Sequence, residues 1–115
     1  MTKAENVFDI KADIEADIAL DLEKTITGLQ ELGLCLKNSI SRLPDCTIKE
    51  YLMFETSNII EFKTAQAFYY LQNKILRMMN LVIKWDLGGE ILKLLEEISV
   101  GVRKIVRYVE GGKRG

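Results

Sequence analysis

Glu5, Asp9, Asp13, Asp17 and Asp21 stand four residues apart in the stretch ENVFDIKADIEADIALDLEK. Four residues turn slightly more than once around a helix, so such a ladder drifts by about 40° per step and stays near one face. Carboxylates so placed could hold a divalent cation, or a cationic partner. Carboxylate-only metal enzymes built on helices pair their acids three apart, as E-x-x-E and E-x-x-D. No acidic residue of this chain is followed three positions later by another. The ladder therefore reads as the acidic edge of a charge-matched face, with basic counterparts expected at Lys74, Arg77, Arg103, Lys104 and Arg107. Exposed ion pairs contribute only about 0–1 kcal/mol each, but they select alignment and partner.

A second group with chemical potential lies at the other end. Arg103, Lys104, Arg107, Lys113 and Arg114, with Tyr108 among them, could touch nucleic-acid phosphates. Basic residues near a helix C-terminus are also the ordinary match to its dipole. Phe68, Tyr69 and Tyr70 are consecutive aromatics. Together they span most of a helix circumference, so one of them must leave the local core for an interface.

The remaining chemistry is narrow. The chain has no histidine, which removes the commonest general base and most zinc and di-iron ligand sets. Cys35 and Cys46 alone cannot form a structural zinc site. They are read as free, buried or half-buried thiols, too far apart for a disulfide. No P-loop is present, because the Leu87-Gly88-Gly89 turn lacks a strand before it and the Lys-Ser/Thr after it. No cofactor and no enzymatic activity are expected.

The elements that position these groups are helical. Apolar residues occupy every even position from Phe8 to Leu22, which by itself suggests a strand. The run is long for a strand and rich in Ala, Asp, Glu and Lys, which strands avoid. It continues into Leu22, Ile26, Leu29, Gly33, Leu36, Ile40 and Leu43, a heptad seam. The pattern predicts one helix over residues 6–43, weakened by Gly28 and Gly33, which could also admit close approach of another helix. Pro44 ends it. Thr47 with Glu50 forms a capping box, and a second helix is predicted over 48–85 with a kink at Glu55–Asn58. Gly88 or Gly89 suits a left-handed cap. The third helix is predicted over 90–109, where Ile91, Leu95, Ile98, Val102, Ile105 and Val109 form its seam.

These lengths give an all-α fold: an elongated three-helix antiparallel bundle of two long helices and a shorter third, completed by oligomerisation. Residues 1–110 form a single domain and 111–115 a flexible glycine-rich tail. Short turns place the third helix parallel to the first, covering only one half of the long hairpin. The other half would leave Leu29, Leu32, Leu36, Ile40, Leu52, Phe54, Ile59 and Phe62 only two helices thick. An apolar surface of that size marks an interface, here expected between two copies. Net charge is −1, so no global field directs the chain to DNA or to an anionic membrane. The most apolar window, Ile75–Trp85, is interrupted by Arg77, Asn80 and Lys84 and is too short to span a bilayer. The start of the sequence lacks the form of a signal peptide, and a cytoplasmic location is expected.

The segments TIKEYLMF (Thr47–Phe54) and LLEEISVGVRKIV (Leu94–Val106) resemble parts of the small four-helix-bundle proteins associated with ribosomal-RNA intervening sequences and with diversity-generating retroelements. The resemblance covers about a third of the chain. It implies four helices, a basic surface and a role beside RNA or a reverse transcriptase, whereas the residues themselves give three helices and near-neutral charge. The expected function is that of a non-enzymatic interaction, adaptor or assembly protein, acting as a homo-oligomer and binding another protein. The alternative is a nucleic-acid- or ribonucleoprotein-associated accessory subunit using Arg103, Lys104, Arg107, Lys113 and Arg114. Third comes a carboxylate-metal enzyme built on the acidic ladder.

Overall fold

Pro44 stops the first helix where the sequence requires it. In the computed structural model, which describes the backbone of residues 3–114 and the side chains of residues 22–111, four helices follow one another. They are α1 (Lys3–Ser41), α2 (Thr47–Glu61), α3 (Ala65–Lys84) and α4 (Gly89–Arg114). No strand occurs among the described residues. The fold is all-α, as expected, but the bundle has four helices rather than three.

The extra boundary lies at Phe62–Thr64, inside the segment read as one helix over 48–85. Thr64 is extended, and its hydroxyl accepts the Ala67 N–H at 3.2 Å, an N-cap for α3. Phe62 is also extended, and its carbonyl accepts the side-chain amide of Gln30 at 3.0 Å. Its ring meets Phe68 edge-on at 5.8 Å, a staple across the turn. Glu55–Asn58, expected to kink, stays helical. Thr56 and Ser57 donate their hydroxyls to the Leu52 and Met53 carbonyls one turn back, so these polar groups are satisfied within the helix.

One additional reversal changes the topology. Gly33 lies against Ile59 and Ile60, so α2 runs antiparallel to α1. Glu55 on α2 reaches Lys74 on α3. Leu29 lies against Gly101, and Ser39 donates to Glu90 at 3.2 Å, so α4 runs antiparallel to α1, not parallel as expected. The result is an up-down-up-down bundle of 61 × 23 × 21 Å, with α1 along its long axis. The core draws on all four helices. It includes Leu36, Ile40, Leu52, Ile59, Phe68, Ile75, Leu95 and Ile98, each at most 1% exposed. Among the described residues no helix is long and apolar enough to cross a membrane.

The other turns follow local rules. Cys46, not Thr47, caps α2, its sulfur accepting the Lys49 N–H at 3.4 Å. Lys49 in turn donates its ammonium to the Ser41 and Leu43 carbonyls and to Asp45, covering the open end of α1. After α3, Asp86 and Gly88 take positive φ. The Leu87 N–H bonds to Val82 and the Asp86 N–H to Ile83, the Schellman pattern, with Asp rather than Gly at the left-handed position. The helix α4 continues to Arg114, through the glycines read as a tail.

Candidate interaction surface

Five of the residues expected at an oligomer interface belong to the chain's own core. Leu29, Leu36, Ile40, Leu52 and Ile59 are each at most 2% exposed. The physical reason is the reversal at Phe62–Thr64. It brings α3 and α4 back over the half of the hairpin that three helices would have left thin. Leu32 and Phe62 are half-buried and pack against the same core. Phe54 alone of the eight is largely exposed, at 64%.

Sequence reasoning missed the exposed apolar side chains Leu76, Ile83 and Val100, and Tyr70 is the member of the Phe68–Tyr70 run that leaves the core. Their signal was present as spacing. On α3, Tyr70, Arg77 and Lys84 are seven apart and all exposed, a stripe opposite the Leu71–Ile75–Met78–Val82 core stripe. On α4, Lys93, Val100 and Arg107 repeat the pattern. On α2, Glu50, Phe54 and Glu61 form a stripe at steps of four and seven, also exposed. Residues seven apart return to nearly the same face of a helix, about 10.5 Å further along.

Among the described residues, one of the bases expected to face the acidic ladder makes an ion pair, Lys74 with Glu55. Arg103, Lys104 and Arg107 are exposed and make no ion pair among the described residues. Lys113 and Arg114 lie outside the described side chains, as do Glu5, Asp9, Asp13, Asp17 and Asp21. Lys74, expected near Asp17, instead reaches Glu55 Oε1 at 3.5 Å. The helix α3 runs parallel to α1, so Lys74 stands beside the half of α1 that ends at Ser41. Glu55 is 5% exposed, and its Oε2 has no hydrogen-bond partner. The α2/α3 seam that holds this pair is sparse beside the α1/α2, α1/α4 and α3/α4 seams.

Between α3 and α4 a groove of about 30 Å³ is lined by Gln72, Ile75, Leu76, Ser99, Val102 and Arg103. It has room for a water molecule, not for an organic ligand, whose pockets run to about 300–1,000 Å³. Among the described residues no group of three or more Cys, Asp or Glu could hold a metal ion. Cys35 and Cys46 are free thiols, and both are exposed rather than buried. Comparison with protein-family models, with curated proteins and with solved structures finds no match to this chain.

Proposed function

We propose that the chain is a non-enzymatic assembly or adaptor protein that works as a homo-oligomer, a dimer being its smallest form. One observation carries this reading. Leu34, Phe54, Tyr70, Ile83, Trp85 and Val100 are each more than half exposed, although the core of the bundle is already filled. Apolar side chains repeated along outer helix stripes are suited to a protein partner. Sedimentation velocity between about 10 and 100 μM tests it. The expected mass is a multiple of 13.1 kDa. A single 13.1 kDa species across that range sinks the homo-oligomer.

A second reading is favoured by Arg103, Lys104 and Arg107, which are exposed and make no ion pair among the described residues: an accessory subunit that contacts nucleic acid. Phosphate contacts are strongest at low salt. Absence of RNA or DNA retardation at about 50 mM salt removes this reading.

A further inference from the structure

The two halves of the chain carry opposite charge. Residues 1–61 hold six basic and twelve acidic residues, and residues 62–115 hold ten basic and five acidic. The first half supplies α1 and α2, the second α3 and α4. These are the two antiparallel hairpins, and α2 and α3 touch only sparsely. One hairpin is therefore acidic and the other basic. Among the described residues the ion pair between them is Lys74–Glu55, and the other ion pair, Lys49–Asp45, is local to a turn. Glu50, Glu61, Lys93 and Arg107 are exposed and unpaired among the described residues.

The outer stripes match in order as well as in sign. The stripe on α2 reads acid, apolar, acid: Glu50, Phe54, Glu61. The stripe on α4 sets bases on both sides of an apolar residue, Lys93, Val100 and Arg107, with Glu97 and Lys104 on the same face. The ends of the two stripes stand eleven and fourteen residues apart, about 16 and 21 Å of helix. We infer that copies of this chain associate head to tail, with α2 of one copy seated on α4 of the next. Phe54 meets Val100 at the centre, and Glu50 and Glu61 face Lys93 and Arg107 at the rim.

This rests on the homo-oligomer reading and specifies its contact. A two-fold contact through α2 would set Glu50 and Glu61 against their own copies, and one through α4 would set bases against bases. Like charges across an interface are costly, and opposite ones steer association and fix register. A head-to-tail contact leaves each copy with one face still open, so it grows until it closes into a ring or continues as a filament. A nucleic acid fits the basic face less well. Val100 and Leu76 are exposed apolar side chains that offer nothing to a phosphate backbone.

The test uses two charge-reversed chains, Glu50→Lys with Glu61→Lys and Lys93→Glu with Arg107→Glu, each checked for helicity by circular dichroism. Each alone should run as a 13.1 kDa monomer. An equimolar mixture should recover the wild-type mass, because every junction again joins opposite charges. The wild-type chain, which needs no variant, should lose at least about tenfold in association between 50 and 500 mM salt. If the wild type is a monomer at about 100 μM and low salt, the homo-oligomer reading fails and this inference with it. An oligomer that ignores salt, or whose mass either reversed chain retains, overturns the head-to-tail contact alone. So does a mixture that fails to recover. Loss of binding to a single-stranded RNA probe by the Lys93→Glu, Arg107→Glu chain, with its mass unchanged, also overturns it and assigns the basic stripe to nucleic acid.

Discussion

The α1/α4 seam and the α2/α3 seam are built on different principles. At the first, Gly101 lets Leu29 lie directly on the backbone of α4. A Cβ there would sit 2.7 Å from Leu29 Cδ2 and 3.2 Å from its Cγ. Ile98, Val102 and Ile105 are buried on α4 around this contact. The second seam has few contacts and places a carboxylate inside it, Glu55, with one partner at 3.5 Å and one bare oxygen. Close apolar packing supplies stability. A buried charge held by one half-exposed lysine contributes little or costs stability, and acts on which helices align. The bundle thus has a seam that holds it together and a seam that orders it.

Four perturbations separate the two. The largest effect is expected for Gly101→Val, which forces side-chain carbons into Leu29 and should lower unfolding free energy by about 2 kcal/mol. An unchanged urea midpoint would show that Leu29 yields and the seam is not tight. Next, hydrogen exchange should find α2 amides opening about tenfold more often than those at the centre of α4. Equal protection in both would erase the distinction. Third, Lys74→Ala should cost about 1 kcal/mol, a value kept small because Lys74 is 52% exposed. Glu55→Leu should instead raise stability by about 1 kcal/mol. If thermal melts show both variants destabilised alike, the pair is a stabilising bridge and the polar seam has been misjudged. The smallest effect belongs to Gly28→Ala. Among the described residues nothing beyond its own stretch of helix lies within 4 Å of a Cβ added there, so helix propensity alone acts and should add about 0.5–1 kcal/mol. A loss at Gly28 would mean that α1 needs its glycine for more than Gly33 does.

How far the fold could be read from residues depends on where each turn finds its support. Pro44 and the Asp86–Gly89 stretch carry their own signals, and both turns fall where expected. Phe62–Lys63–Thr64 contains neither glycine nor proline. A threonine able to cap is visible there, but threonines of that kind recur along any polar helix, Thr56 among them. What makes Thr64 a cap is Gln30, which holds the Phe62 carbonyl from another helix, and Phe68, which the ring of Phe62 meets. Missing that turn had consequences. It set the last helix parallel to α1, and it turned core residues such as Leu36 and Ile59 into surface. Of the apolar surface, Phe54 was legible. Tyr70 was legible as one of three consecutive aromatics, whereas Leu76 and Val100, single apolar residues off the Leu71–Ile75 and Val102 seams, were not singled out. Gly33 was legible as a possible close approach, whereas Gly101, which makes the tighter one, was not singled out.

The hydrogen bond from Gln30 to the Phe62 carbonyl joins residues 32 apart in the chain. A contact of that separation forms late, after closure of the loop between its partners. Until α1 docks, the segment from Thr47 to Lys84 has no restraint from that side, and its own sequence favours running on as a single rod. The bend between α2 and α3 is then expected to be completed only once α1 is in place. In kinetic terms, stopped-flow circular dichroism of refolding should show a moment of excess helix that ends as α3 separates from α2.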